Sequence, residues 1–577
     1  MTRKHSLALA IITTVAGAVP MLRQDAAAQT PRAINIGGPP GDTAARQCAT
    51  EAIVTAALAA FNSPAAVHVW SGTASIDAGS VTRGNFVVFR SSLSVEGTVA
   101  GDVIVLNGDM RVRSTGTVTG KITVLGGRLT IDAGAKVAGK PFACDERIAL
   151  TRFAGNTVGR SPAGPSIGSL RSATTWTIND FTFKPHLGIG SYNRVEGLQP
   201  QVGASVFRPV GTTNGLFGEA YAIFRTARDP SGSRRPVGWY GELRYTVGGA
   251  IPWSVGVNGG PVLRSTIDQP YSPLESSISA FIFRRDYNDW YLNRGVKVFA
   301  TANVTRELKL GASFEATHQT TVLAVDAFSL LRNTETWRPN PLIDDGRYRI
   351  ATGRVTWDAR DERDHPGLTW YVNAELRRVT SNDLTPVSVP STIRDALPVK
   401  GYSATEGDFD LRASLRLDPE QRLNFRIAGG GYVTGNPLTI QDRRAIGGAS
   451  PLPGYDFRAI NCDRQRKVYA SLPALCDRTM AVQAEYHRML PIDLSTQIGG
   501  QVVGLRNPDF VILADMGSAW LAGDAPGRVP ANRIQSLREW RSDVGVGITS
   551  GPLGLYLTKA LADAFPIRLT LLLSPRF

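Results

Sequence analysis

From Trp176 to Phe577 apolar and polar positions alternate with a period of two. In Trp239–Val247 one face carries Trp239, Leu243, Tyr245 and Val247, and the other Tyr240, Glu242, Arg244 and Thr246. Phe409, Leu411, Ala413, Leu415 and Leu417 alternate with Asp408, Asp410, Arg412, Ser414 and Arg416. After Asp418-Pro419-Glu420, Leu423, Phe425 and Ile427 oppose Arg422, Asn424 and Arg426. Strict alternation between turn residues predicts antiparallel strands, greasy on one side and charged on the other. A soluble β-sandwich and a membrane barrel share that pattern. The barrel is favoured by a secretory signal at the start of the chain, by alternation that persists over some 400 residues without a helical segment, and by the chain terminus; in lipid every backbone polar group must be paired, as a closed sheet allows. At about 25 residues per strand plus connection, the region supplies about 16 strands. The last of them sets Ile567, Leu569, Leu571, Leu573, Pro575 and Phe577 against Arg568, Thr570, Leu572, Ser574 and Arg576; a strand ending in Phe577 is how outer-membrane barrels end. Trp176, Trp253, Trp337, Trp370 and Trp520 fall near expected strand ends, as girdle or as packing residues.

A different pattern fills residues 71–144. GDVIVLNGDMRVRSTGTVT is followed by GKITVLGGRLTIDAGAKVA, and Gly101, Gly120 and Gly139 mark a 19-residue period, with a looser unit starting at Gly84. Short Val/Ile runs between Gly and Asp/Asn corners predict a parallel β-solenoid of three or four rungs, with a repetitive antiparallel sheet as the alternative. The segment resembles the bactofilin-type polymer-forming solenoid. Residues 29–70 read as a lead-in with a helix over Ala49–Phe61, and the Gly/Ser/Pro-rich residues 145–175 as a linker before the barrel at 176–577. The fold class is therefore all-β, a small N-terminal solenoid followed by a transmembrane barrel.

At the start, Arg3 and Lys4 precede the apolar run Leu7–Leu22, and Ala26-Ala27-Ala28 offers a cleavage site. Residues 1–28 thus read as a secretory signal peptide. The resulting compartment is oxidising, so Cys48, Cys144, Cys462 and Cys476 are expected as two disulfides, paired by neighbourhood among three possible connectivities. The six histidines are scattered and none stands at ligand spacing from a cysteine, so no metal and no other cofactor is expected. The formal charge of +14 comes from 63 Lys+Arg against 49 Asp+Glu spread along the chain. Without a basic run or an aromatic-interleaved patch, this argues against nucleic acid and for anionic lipid headgroups.

Several stretches in the barrel region carry a resemblance. TWDARDERDHPGLTWYVNAELRR (356–378), RRAIGGASPLPGYDF (443–457), AVQAEYHRMLP, FVILADMGSAW and SDVGVGI follow one another in the order found in the BamA-like outer-membrane assembly superfamily, also called the bacterial surface antigen family. YNRVEGL (192–198) is similar to a sequence near that family's first strands. The resemblance implies a sixteen-stranded barrel in the bacterial outer membrane, with the N-terminal domain in the periplasm and a weakly paired seam between first and last strands. It implies too that the sixth loop tucks into the lumen: its tip here is Leu452, Pro453, Gly454 and Tyr455, and its acidic wall partners are Glu485 and Asp515. Where the family has an Arg before the tip glycine, this chain has Pro453. Arg444 and Arg458 are the substitute cations, or the Cys462–Cys476 disulfide holds the loop. The family's periplasmic transport-associated domains have no counterpart in 29–175; the solenoid stands in their place.

Of three non-catalytic functions, two fit these features. One is assistance to insertion or translocation of proteins or other cargo, with client or periplasmic partners reached through the solenoid. Another is a passive channel whose lumen arginines Arg412, Arg416 and Arg426 favour anions. The third, an autotransporter, has a shorter barrel and a much longer passenger. An enzyme is not expected: Glu485 and His487 share a strand face, but no Gly-x-Ser-x-Gly or comparable nucleophile motif accompanies them.

Overall fold

The computed structural model describes residues 51–577 except 64, 70–72, 145–149, 154–156, 161–175, 179, 212–213, 228–235, 250, 267–270, 306, 333, 361–366, 419, 463–472, 491, 499–500, 507, 551–552, 563, 574–575 and 577. The signal peptide, Cys48 and Phe577 lie outside the described residues.

The repeats build a parallel solenoid with three sheets. One is five-stranded, Val67–Val69, Phe86–Phe89, Val103–Leu106, Ile122–Leu125 and Phe142–Cys144, and the other two are four-stranded. Val103 pairs with Ile122 and Leu106 with Leu125, one repeat apart. The stacking explains the glycine column: a Cβ on Gly120 would stand 2.3 Å from the Gly101 carbonyl oxygen, and one on Gly101 equally close to that of Gly84. Val88, Val105 and Val124 fill the interior with Leu93, Val95 and Val112.

The five-stranded sheet is buried on its outer side as well, which the sequence reading missed. The helix Glu51–Phe61 lays Val54, Ala57 and Phe61, spaced for one helical face, over Val87, Phe89, Ile104, Leu106 and Leu125. A hairpin, Leu150–Phe153 with Thr157–Arg160, adds Leu150 and Val158 to the same cluster. The Asn62 amide both donates to and accepts from the Val158 backbone, at 2.8 and 2.7 Å. Segments read as lead-in and linker therefore complete the solenoid's core, and the first rung strand begins at Val67, ahead of residue 71.

The second unit is an antiparallel sheet of seventeen strands that pair in chain order, except that the separate hairpin Asp493–Ile498 with Gln501–Arg506 is inserted between Arg478–Met489 and its partner Asp509–Trp520. The first, Trp176–Ile178, is three residues long; the other sixteen run from Phe181–Ile189 to Arg568–Leu572. Strands of up to 15 residues suffice to cross a bilayer at a tilt. The sheet is curled into a barrel: the Leu573 amide donates to the Glu275 carboxylate, and Glu275 lies between Trp253–Ser265 and Trp290–Asn303. In a flat sheet ten or more strand spacings of about 4.8 Å would separate them.

Alternation assigns the two faces. In Leu553–Ala560, Leu553, Leu555 and Leu557 are exposed while Gly554, Tyr556, Thr558 and Ala560 are buried. Trp239, Leu243, Val296, Val298, Phe314, Phe409 and Leu411 also point outward, and the inside holds buried charges such as Arg194, Glu406, Arg443 and Asp543. Trp176, Trp253 and Trp370 are exposed at the short-turn end of their strands, whereas Trp337 and Trp520 are buried packing residues.

A helix, Pro273–Phe283, interrupts the all-strand expectation. Ser272 and Glu275 form a reciprocal capping box with Pro273 in the first turn, and Arg284 closes the helix in the left-handed region, φ 56°. Its Ser-Pro-x-Glu signature was legible, but lies within one long connection between two strongly alternating strands.

Candidate functional site

The connection between Gln421–Gly435 and Arg478–Met489 folds inward as a stem and a tip. The stem pairs Arg444 with Cys476 and Ile446 with Ile460 through backbone bonds of 2.9–3.0 Å, and Cys462 is disulfide-bonded to Cys476. Cys144 is also in a disulfide. At the tip the Tyr455 amide donates to the Leu452 carbonyl at 3.1 Å, a tight turn whose four residues are all buried. Gly454 is required by proximity: its amide donates to Asp543 at 2.5 Å, and a Cβ there would lie 2.6 Å from the Asp543 Cβ and 2.8 Å from the Ala560 nitrogen. The Tyr455 hydroxyl donates to the Ser542 carbonyl at 3.2 Å, and its ring meets Phe565 edge-on at 5.3 Å.

Glu485 and Asp515 come from adjacent strands, Arg478–Met489 and Asp509–Trp520, and both are buried on the lumen face. Asp515 stands opposite Asp543 across the next ladder. Three carboxylates thus converge where sequence reasoning found two. Asp543 lies in SDVGVGI, where the sequence pattern alone gives no sign of this role.

The cation at this wall is Arg576. Its Nη1 donates to Glu485 at 2.7 Å, and its Nη2 donates to Asp515 at 2.5 Å and to the Pro451 carbonyl at 3.5 Å. Its guanidinium stands 5.7 Å from the Tyr556 ring centroid. The two expected substitutes are engaged elsewhere. Arg444 pairs with Asp408 at 2.7 Å and Glu406 at 3.4 Å. Arg458 reaches Asp289 at 2.7 Å, on the connection that carries the Pro273–Phe283 helix. Asp289 also receives Arg338 at 2.6 Å and Arg194 of the YNRVEGL stretch at 3.1 Å. Arg194 is fully buried and donates further to the Asp286 and Asn288 carbonyls and the Asn340 amide oxygen. Three segments distant in sequence therefore meet on one carboxylate.

The Glu485–His487 pair is joined at 2.8 Å, and His487 continues to Asp509 at 3.4 Å, which Arg422 holds at 2.6 Å. With Arg576 on the other Glu485 oxygen, this is a continuous run of paired polar and charged groups along the lumen wall. Arg412 and Arg426 share Asp410, at 2.6 and 2.8 Å. Among the described residues no cluster of three or more His, Cys, Asp and Glu side chains is arranged to hold a metal.

Residues 170–452 match the model described as a family of unknown function (DUF5686), C-terminal domain. No curated protein matches the chain. Similar solved structures include BamA from Haemophilus ducreyi lacking POTRA domains 1–3, at 11% identity, covering 70% of this chain and 74% of that one with a TM-score of 0.38. They also include CdiB from Acinetobacter baumannii, at 11% identity, 69% and 59% coverage and a TM-score of 0.30. CdiB from Escherichia coli is similar at 10% identity, 69% and 62% coverage and the same TM-score. The chain thus spans less than two thirds of the length of either CdiB.

Proposed function

We propose that this protein is an outer-membrane barrel that assists the insertion or translocation of proteins or other cargo, with its solenoid in the periplasm as a docking or spacing module. The observation that carries the reading is the seam. Among the described residues no ladder joins the last strand, which is only five residues long, to the first strands, and Phe181–Ile189 is paired on that side only over Phe181–Phe183, by the three-residue Trp176–Ile178. Backbone groups left without a ladder partner in lipid are costly, so such an edge favours an incoming strand. The motif order across residues 356–548 supports the same reading. The work is mechanical: opening of the seam next to a lumen braced by its sixth loop, with no covalent chemistry.

A passive anion channel is less well supported, because Arg412 and Arg426 are committed to Asp410, and Gly454 and Arg576 are bonded to the wall acids Asp543, Glu485 and Asp515. Depleting the protein and comparing the outer-membrane proteome tests the proposal. Loss of many barrels or of one exported class is expected. An unchanged proteome with altered uptake of small solutes would transfer the assignment to the channel.

A further inference from the structure

The outer face of the barrel changes character along its height. On the six strands from Trp253–Ser265 to Tyr402–Arg416, the ionisable residues with outward parity are Arg294, His318, Arg347, Arg349 and Arg378, all exposed and all toward the long-connection end. Nearer the short turns the same columns carry Val296, Phe314, Val355 and Leu376. Among the described residues of these six strands, no carboxylate has outward parity. The ladders bring the five basic residues together. Arg294 pairs with His318 and His318 with Arg347, so one row crosses three strands. Arg349 follows two residues along, and Arg378 stands opposite Ala351 on the next strand. Three strand spacings make the group about 15 Å wide. Arg347 leans on Asp383 at 3.5 Å, whereas Arg294, Arg349 and Arg378 have no ion pair among the described residues.

The height of the group is fixed by the same strands. Arg378 lies eight residues from Trp370, exposed at the short-turn end of its strand, which is about 26 Å of extended chain. The basic residues therefore stand at the far border of the apolar band that Trp370 opens. A cation facing lipid is costly at mid-depth and costs little at the headgroup level, where phosphate can meet it. We propose that this patch binds the phosphate-bearing headgroup of a lipid. With the solenoid in the periplasm, the patch lies in the outer leaflet, and its occupant is the phosphorylated glycolipid of that leaflet. Guanidinium groups grip phosphate oxygens in pairs, and His318 supplies a further donor between Arg294 and Arg347. The site rests on the membrane-barrel reading and not on what the barrel carries.

Native mass spectrometry of the full chain released from detergent micelles and titrated with diphosphorylated lipid A tests it. The unmutated protein should retain the lipid, and in Arg294→Gln/Arg349→Gln/Arg378→Gln the dissociation constant should rise roughly tenfold or more. Lys297→Gln/Lys309→Gln, which removes inward-facing cations from two of the same strands, should bind as the unmutated protein does. Lipid A stripped of its phosphates should not be retained, and inorganic phosphate should not displace the intact lipid. Equal affinity in the triple variant, retention of the stripped lipid, or displacement by inorganic phosphate overturns the site. Should the triple variant fail to fold, Arg349→Gln alone and the comparison of intact with stripped lipid still decide. The gel shift of the folded barrel is recorded on each sample; its absence from the unmutated chain would overturn the barrel, and the site with it.

Discussion

Arg458 in the sixth loop and Asp289 beside the Pro273–Phe283 helix form a buried ion pair at 2.7 Å. Asp289 accepts two further arginines, so the partners are unequal. Arg458→Met leaves the carboxylate with Arg194 and Arg338 and should cost about 1–3 kcal/mol. Asp289→Asn removes the carboxylate that all three guanidinium groups share and should cost about 3–5 kcal/mol. Thermal unfolding followed by the gel shift of folded barrels compares them; equal losses would mean that Asp289 is no hub.

The same carboxylate sets an acid limit. Burial alone would raise it, but Arg338, Arg458 and Arg194 outweigh burial and hold it at about 2, below its ordinary 3.8. A carboxyl depressed by folding stabilises the folded state above its unfolded pKa, and that contribution disappears as pH falls through the folded value. Protease protection of the sixth loop should therefore persist to about pH 4 and be lost between there and pH 2. Loss already at pH 6 would point to another group.

Gly454→Ala forces a methyl against Asp543 and the Ala560 backbone and should cost about 1–3 kcal/mol. Gly353→Ala, where nothing lies within 4 Å, serves as the near-neutral control. Indistinguishable unfolding midpoints would mean that the tip does not dock as described.

In the solenoid, Gly120→Ala meets the Gly101 backbone as well as the Asp102 carboxylate and should cost more than ~2 kcal/mol. Limited proteolysis should then cleave residues 67–144 while the barrel keeps its gel shift. Cleavage of both together would show that the two units unfold as one.

The lines of this fold were legible wherever a period was clean. The two-residue alternation marked the barrel wall, and the 19-residue glycine spacing marked the rungs. What escaped notice depended on contacts between distant segments. The outer cover of the five-stranded sheet comes from Val54, Ala57, Phe61, Leu150 and Val158, drawn from stretches whose composition reads as connection. Arg576 stands on the polar face of the last strand in the sequence pattern, but alternation carries no sign of its partners Glu485 and Asp515, which lie on other strands. Asp543 gained its role from Asp515 across a ladder and from Gly454 above it, neither of which is a sequence neighbour.

The outward face of the barrel is the claim on which the rest stands. Leu555→Arg, in mid-strand, should destabilise the folded barrel in lipid by about 2–4 kcal/mol, and Leu553→Arg, at the strand end, by about 0–1 kcal/mol. The most direct measurement places a nitroxide at Val298, which faces outward, and another at Lys297, which faces inward, in the protein reconstituted into vesicles. The account predicts that the label at 298 collides with dissolved oxygen and is shielded from a water-soluble nickel relaxant, and that the label at 297 is not oxygen-exposed in this way. Equal access of the nickel reagent to both positions would contradict it.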